Sequence, residues 1–433
     1  MRTEFMSKGI LVRRIIPLLT VIIGASSRAA LARRQLNFCS YLMLLVVSVA
    51  SLSAYSSTLV LVSIDGFRHD YLNQFHAPAL QAIAQDGFRV DRLQPVYPTN
   101  TFPTHISMVT GLNPADHGIE DNHFCNAQRR SCYHMGDGQH DASWLKGNPL
   151  WNAVEAQGGI SATYFWPESE ARWGEDLPTY YFPYKKSTPY AKRVEQVLQW
   201  LRLPEPERPQ FITLYFAAVD IAGHAYGPQS AAVSEAIAEV DRHVGTLREG
   251  LDKLGRNDIN LMVVSDHGMT TIHAGHEILV GQLPNSKGFQ IIHDQVRVKY
   301  YAQSSSANTG ELLVGMKAAA AGRYEVLTAS EALSAGSHTE ATVPTMTLQA
   351  QPPYFFATSA LVANTVMGAH GYPAEHPDMA AFAIGVGPAF VSGRLDTAHQ
   401  LDIYPVALEI MGYAVPPNMP SDGGNLKTLL RSR

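Results

Sequence analysis

Six side chains scattered along the chain share one kind of setting. Asp65, Asp220, Asp266 and His267 each stand at or just beyond the end of an apolar, β-branched run. His224 follows Asp220 by four residues, and His370 sits in the glycine-flanked stretch Gly368-Ala-His-Gly-Tyr372. A carboxylate supplies a hard oxygen ligand and an imidazole a borderline nitrogen, a pairing that suits zinc or a similar ion. Catalytic zinc commonly takes three protein ligands and keeps one position open. Three aspartates and three histidines therefore allow two such sites, and two ions about 4 Å apart clamp the attacking and leaving oxygens of an in-line phosphoryl displacement. Asp220 and His224 reach one ion if their segment makes a helical turn. Each motif alone has a plainer reading, since Asp266-His267-Gly268 is also good turn chemistry. The repetition is what favours a metal centre.

Thr101 and Asn122 are the candidates for chemistry at phosphorus. In Tyr97-Pro-Thr-Asn-Thr-Phe-Pro-Thr-His105 two prolines hold the chain extended, and Pro103 falls where the first turn of a helix tolerates it. That places Thr101 just before a helix N-terminus, where backbone N–H groups and the helix dipole favour a phosphate. A threonine hydroxyl is too weak an acid to attack unaided, an obstacle that a nearby metal ion removes. The plainer reading of Thr101 is a helix cap. Asn122, in the loop Asp121-Asn-His123, either donates an amide N–H to a phosphoryl oxygen or is an ordinary turn residue. The stretch Tyr180-Tyr-Phe-Pro-Tyr184 is either a stacking platform for a ring or a packed loop.

The elements that must position these groups can be read from the apolar pattern. Thr58–Ile64 and Ile259–Met269 read as strands buried on both faces. Ile160–Trp166 and Phe211–Phe216 read as further strands, and Ala77–Asp86, Tyr190–Leu203 and Ala231–Leu254 as helices. This alternation predicts an α/β fold with a central, mostly parallel sheet flanked by helices, and it sets the candidate ligands at the carboxyl edge of that sheet. Residues 270–365 change character, with β-like runs over Gln290–Tyr301 and an alanine-rich helix over Glu311–Ala321. They predict a smaller inserted α+β subdomain between core segments 55–269 and 366–433. Ala380–Val386 reads as the last strand and Ala398–Met411 as the closing helix. No internal repeat and no Walker-type or dinucleotide glycine loop occurs.

With 46% hydrophobic and 16% charged residues, the 433-residue chain has ample material for a core. Its net charge of −5 hides an asymmetry. Residues 1–54 hold seven Lys/Arg and one acid, so of 33 basic and 38 acidic residues 26 and 37 remain, and the body sits near −11. A body that acidic is a poor non-specific binder of nucleic-acid backbone. An anionic substrate would need local cations, for which bound metal is the obvious source. Arg33 and Arg34, the apolar run Tyr41–Ala50 and the small residues to Ala54 form a secretory leader pattern. The run is shorter than the ~20 residues of a spanning helix. The expectation is a periplasmic or secreted protein with no stable membrane span in its mature form; an uncleaved anchor is the alternative. Cys125 and Cys132 bracket a short polar loop, and in an exported chain they are expected to form a structural disulfide.

Several motifs occur in one order: Val62-Ser-Ile-Asp-Gly-Phe-Arg68, Thr101-Phe-Pro-Thr-His105, Thr110-Gly-Leu-Asn-Pro114, Asp220-Ile-Ala-Gly-His224, Ser265-Asp-His-Gly-Met269 and Gly368-Ala-His-Gly-Tyr372. Through them the chain resembles the nucleotide pyrophosphatase/phosphodiesterase family of the alkaline phosphatase superfamily over nearly all of residues 58–412. The resemblance implies an alkaline-phosphatase-like core and two zinc ions per chain. Asp220, His224 and His370 would hold one; Asp65, Asp266 and His267, with the Thr101 oxygen, would hold the other. Thr101 would be the nucleophile, forming a covalent phosphothreonine ester that water hydrolyses, and Asn122 would hold a phosphoryl oxygen. Phe102 and Tyr184 match aromatics that sandwich a nucleobase, with Trp166 at the pocket wall. The implied substrates are small nucleotides, cleaved at phosphodiester or pyrophosphate bonds to nucleoside 5′-monophosphates. Thr104 departs from the pattern, since many members carry Asn there. No somatomedin-like or nuclease-like flanking domain is expected, as in bacterial members. The competing readings are a lipid or choline phosphodiesterase on the same site, a sulfatase- or mutase-like relative, and a silent binding protein that kept the fold. Sulfatases need a modified Cys or Ser where Thr101 stands, and the complete set of ligands argues against the silent protein.

Overall fold

The computed structural model describes residues 57–432 apart from 175, 285 and 335. The described residues form one compact unit. The leader expected over residues 1–54 lies outside the described residues.

The core is a sheet of eight strands: β1 (Thr58–Ile64), β2 (Phe88–Gln94), β3 (Ser161–Tyr164), β4 (Tyr180–Phe182), β5 (Phe211–Phe216), β6 (Ile259–Val264), β7 (Ala381–Val386) and β8 (Gly393–His399). Their spatial order is β8-β2-β7-β6-β1-β5-β3-β4. Only β7 runs antiparallel to its neighbours. Helices cover both faces: α1 (Pro78–Asp86), α2 (Thr101–Thr110), α3 (Leu150–Glu155), α4 (Tyr190–Leu201), α5 (Ala218–Tyr226), α6 (Ala231–Lys253) and α7 (Ile403–Met411). The central strand shows why. In β1, Val60, Val62 and Ile64 pack with α1, α4 and α6, whereas Leu59 and Leu61 pack with α2, α3 and α7. Side chains alternate across a strand, so a run apolar at every position is stable only when both faces are covered.

Residues 270–365 carry a second, four-stranded antiparallel sheet. Its strands, in spatial order, are Phe289–His293, Arg297–Ala302, Met346–Ala350 and Tyr324–Thr328. The helix Thr309–Ala320 contributes Leu312 and Met316 to a hydrophobic cluster of its own there. Just after His267 the strand Thr270–His273 pairs antiparallel with Val366–Ala369, and Ala369 lies opposite Thr270. The chain therefore leaves and returns at one point, which sets His370 beside His267.

Three expectations shift. Ala381–Val386 is not the last strand, because β8 follows it along the sheet edge. Four of the seven β8 residues are exposed, as an edge strand permits, so Gly393–His399 lacks the apolar signal of a buried strand. The closing helix starts at Ile403, since Ala398 and His399 belong to β8. The aromatic stretch at Tyr180 begins with a three-residue edge strand and not a loop.

α1 is fastened from outside its own sequence. Its cap position is Ala77, which offers no side-chain acceptor. Asp241 of α6 fills that role, accepting from Leu80 N at 2.8 Å and Ala79 N at 3.2 Å. Asp241→Ala should cost about 1 kcal/mol in urea unfolding, the usual worth of a cap, and Asp241→Asn distinctly less. Equal stability of wild type and Asp241→Ala would show that the contact contributes nothing.

Candidate active site

β6, β1 and β5 are adjacent parallel strands, and their carboxyl ends open side by side. Asp65 follows β1, Asp266 and His267 follow β6, and α5, which follows β5, carries Asp220 and His224 one turn apart. Backbone contacts lock these ends together: Gly66 N donates to Asp266 Oδ1 at 3.0 Å, and Asp220 N donates to Asp65 O at 3.1 Å. Gly66 has φ +69°, and a Cβ there would lie 2.9 Å from the Asp220 Cα, so only glycine allows the close approach.

Two triads result, Asp220–His224–His370 and Asp65–Asp266–His267, each with ligand atoms within 4.8 Å of one another. The hydrogen bonding of the imidazoles fixes what they offer. His224 Nδ1 donates to Gly368 O (3.1 Å), His267 Nδ1 to Gly268 O (2.9 Å) and His370 Nδ1 to Thr99 O (2.9 Å). A carbonyl can only accept, so Nδ1 carries a proton and each ring, when neutral, presents a bare Nε2, the arrangement usual for a metal-binding histidine. Those nitrogens face carboxylates. His267 Nε2 lies 3.0 Å from Asp266 Oδ2 and 3.7 Å from Asp65 Oδ1; Asp220 Oδ1 lies 3.3 Å from His224 Nε2 and 3.7 Å from His370 Nε2. Asp65 Oδ1, Asp220 Oδ1 and Asp266 Oδ2 are buried with no hydrogen-bond partner. Lone pairs pointed at lone pairs in a buried site call for a cation between them. This chain's donor set thus fits two divalent ions of the zinc type.

A proton and a cation compete for these nitrogens: burial opposes the charge, but the Asp220 and Asp266 carboxylates raise the pKa of His224 and His267 respectively. Burial, then the neighbouring carboxylates of Asp266 and Asp220, hold the Asp65 pKa well above the usual carboxylate range. Burial opposes ionisation of Asp266 too, but His267 and His105 outweigh it and pull the pKa down. Burial, then His267 and His224, push His370 down to about 3, so it is neutral and available as a ligand.

Thr101 is the first residue of α2, with Asn100 in the cap position. The expected placement just before the helix is thus one residue off, and Thr101 is not the cap. Its Oγ1 points at the second triad, 3.4 Å from His267 Nε2. Asn122 Oδ1 accepts from Phe102 N at 2.9 Å, which turns the amide NH2 away from the helix and leaves it free to donate. Thr104, where the sequence departs from the family pattern, donates to the helix's own carbonyl at Asn100 O (2.7 Å).

A cavity of about 600 Å³ opens on Asp65, Thr101, Asn122, Asp220, His224 and His370. Phe102, Trp166 and the half-exposed Tyr184 stand on its wall. Tyr184 is held edge-on to Phe165 at 5.1 Å between ring centres. The hairpin formed by His123–Asn126 and Ser131–His134 leads to Met135 and Gly136 on the same wall. The Cys125–Cys132 disulfide joins directly opposed residues of that hairpin, as expected.

With that geometry in view, residues 59–373 match the family described as type I phosphodiesterase / nucleotide pyrophosphatase. The chain belongs to this family. It is 31% identical to human ectonucleotide pyrophosphatase/phosphodiesterase family member 1 over 86% of its length and 42% of that protein's. It is 30% identical to venom phosphodiesterase of Naja atra over 87% of its length and 46% of that protein's. The chain thus spans less than half the length of these relatives. In fold it is similar to murine and human ectonucleotide pyrophosphatase/phosphodiesterase 5, each at TM-score 0.79 and 25% identity, covering 87% of this chain and all of theirs.

Some site residues of this family member carried no visible signal in its sequence. Tyr215 of β5 donates its hydroxyl to Asp65 Oδ2; in a mostly apolar strand it reads as core. Arg193 of α4 is buried and donates to Tyr215 O (2.6 Å) and Thr188 O (3.1 Å), holding the loop that carries Tyr184. Glu168, on the cavity wall, accepts from Tyr133 Oη and from Gly138 N (3.1 Å). Burial pushes its carboxyl up to about 7, against those two hydrogen bonds.

The Glu168 shift has a direction that can be measured. A carboxyl with a folded pKa above its unfolded value binds its proton more tightly when folded. Its stabilising contribution is complete below about pH 4.5 and is lost as pH rises to about 7, up to about 3 kcal/mol in all. Glu168→Gln, which keeps the neutral shape, should flatten the fall in Tm between pH 5 and 7. Parallel Tm profiles for wild type and variant would contradict the assignment.

Proposed function

We propose that this protein is a two-zinc phosphodiesterase that cleaves nucleotide phosphodiester and pyrophosphate bonds and releases nucleoside 5′-monophosphates through a phosphothreonine ester. The observation that carries the reading is Thr101 Oγ1 lying against a triad whose buried carboxylate oxygens have no hydrogen-bond partner. Asp220, His224 and His370 would hold one ion, and Asp65, Asp266 and His267 the other. Bound there, the ions would lower the pKa of the threonine hydroxyl and of a water molecule and would neutralise phosphoryl charge.

The chain's own groups account for the rest. Thr101, at the N-terminus of α2, attacks where helix N–H groups favour a phosphate. The Oγ–P bond forms, the bridging P–O bond breaks, and its electron pair leaves with the departing oxygen. Asn122 donates its amide to a phosphoryl oxygen as charge builds. Water then attacks phosphorus, the Oγ–P bond breaks, and the Thr101 hydroxyl is restored. Phe102 and Tyr184 bracket the base in the aromatic cavity. The leader pattern and relatives named as ecto- and venom enzymes support export; among the described residues no helix is long and apolar enough to cross a membrane.

A second reading has its own observation. Glu168 and Glu170 stand in the aromatic cavity, a combination that also suits a quaternary ammonium group. A paired rate assay decides between p-nitrophenyl thymidine 5′-monophosphate and p-nitrophenyl phosphocholine, each with and without chelator. The nucleotide ester should be cleaved faster and its cleavage lost on chelation. Faster cleavage of the choline ester would keep the mechanism and overturn the substrate. Tyr184→Ala should raise KM for the nucleotide ester about tenfold, the worth of one stacked base, with a smaller effect on kcat; an unchanged KM would remove Tyr184 from base binding.

Two variants address the chemistry. Thr101→Ala should fall below about a thousandth of wild-type turnover with zinc content near that of wild type. Asn122→Ala should lower kcat by about 10²–10³, as loss of an oxyanion donor does. Substantial turnover by Thr101→Ala would show that another group attacks phosphorus.

A further inference from the structure

Glu168 stands in a backbone conformation suited to glycine. Its φ is +60°, a left-handed value that L side chains rarely adopt. The residue is 3% exposed, on the wall of the aromatic cavity. Strain of this kind persists only where the surroundings hold it. Trp173 Nε1 donates to Glu168 O at 3.0 Å. Glu168 Oε1 accepts from Tyr133 Oη and from Gly138 N (3.1 Å), and Tyr133 Oη accepts in turn from Gly136 N (3.4 Å). Tyr133 also stands edge-on to Phe102, with 6.5 Å between ring centres. Met135, Gly136 and Gln139 belong to the same wall. One carboxyl thus ties the segment after the hairpin, and the ring beside Phe102, to the loop that starts at Trp166.

The tie suits a neutral acid. A carbonyl oxygen has two lone pairs, and Oε1 uses both. Oε2 is buried with no hydrogen-bond partner and packs against Gly138, where a Cβ would lie 2.5 Å from it. Ionisation would spread charge onto that oxygen, and an unpaired buried charge is costly. Two carboxylates bear on Glu168, Glu170 of its own loop and Asp137 beyond the hairpin, and both oppose its ionisation. Their own partners lie elsewhere. Glu170 Oε2 accepts from Tyr184 N (2.6 Å), and His140 acts on the same carboxylate. Asp137 Oδ2 accepts from His134 N (2.8 Å) and lies 3.4 Å from His134 Nδ1. An ionised Oε2 must therefore find water, and to reach it must part from Gly138.

We infer that Glu168 is a positioning residue for the base-binding side of the site: as a neutral acid it staples Tyr133 and the Met135–Gln139 segment to the Trp166 loop, and its ionisation releases that wall. Binding of the nucleoside part weakens as pH rises through neutrality, whereas chemistry at phosphorus keeps its own pH dependence. This rests on the phosphodiesterase reading above and adds a proton-controlled wall to its base pocket.

The test measures KM from pH 6 to pH 8 for two esters, p-nitrophenyl thymidine 5′-monophosphate and methyl p-nitrophenyl phosphate. The second keeps the leaving group and replaces the nucleoside by a methyl group; both stay monoanions throughout. In wild type, KM for the nucleotide ester should rise at least about threefold, and KM for the methyl ester should stay level. In Glu168→Gln, which keeps the neutral shape, the rise should disappear. A nucleotide KM that is level in wild type, or a rise that is equal in Glu168→Gln or for the methyl ester, would overturn the inference. Should Glu168→Gln fail to fold, Tyr133→Phe takes its place. It removes a hydrogen bond that favours the ionised carboxylate, so the rise should move to higher pH; an unmoved rise would overturn the inference. Wild-type protein that cleaves neither ester would instead sink the phosphodiesterase reading itself.

Discussion

The site is built around an electrostatic conflict that protein atoms alone do not resolve. Three carboxylate oxygens are buried and unpartnered, and three imidazole nitrogens whose protons are committed elsewhere point at them. Packing of this kind is unfavourable unless positive charge sits between the groups. Two divalent ions bound there, as proposed, would leave a net positive centre over the three carboxylates, and such a centre would attract an anionic phosphodiester. The acidity of the body, which by itself would repel such a substrate, would then matter little at the site.

The fold makes the conflict unavoidable. Three adjacent parallel strands end at one edge, and the backbone bonds at Gly66 and Asp220 keep those ends from spreading. His370 arrives from over a hundred residues away, yet its position is set locally by the pairing of Ala369 with Thr270. Thr101 is delivered by a helix start, and Asn122 by the loop after it. The buried Asp121 ties that loop to Arg297 and, through its other oxygen, to Lys299 of the second sheet. Burial and both cations bear on Asp121, and the cations prevail, keeping its carboxyl ionised. The second sheet thereby touches the loop that carries Asn122.

What the sequence revealed was whatever periodicity or local chemistry controls. β1 and β6 are apolar at nearly every position, and the ligands follow directly from where those runs stop. The i, i+4 spacing of Asp220 and His224 required a helical turn, and α5 supplies it. Edge strands stayed hidden because β4 and β8 bury little and so carry no strong pattern. The braces stayed hidden for a different reason. Arg193, Tyr215, Glu168 and Lys299 act through partners distant in sequence, and nothing in a local window distinguishes such a residue from ordinary core or surface. The Asn100 cap fell one residue from expectation because helix ends are set by backbone geometry that neighbouring Thr and Asn satisfy almost equally.

The central claim is that Thr101 attacks phosphorus. Acid quenching during turnover of p-nitrophenyl thymidine 5′-monophosphate, followed by peptide mass analysis, tests it most directly. The account predicts a thymidylyl ester on the peptide that contains Thr101, absent when chelator is present. Steady turnover, with a full pre-steady-state burst of p-nitrophenol and the adduct on a different residue, would contradict it.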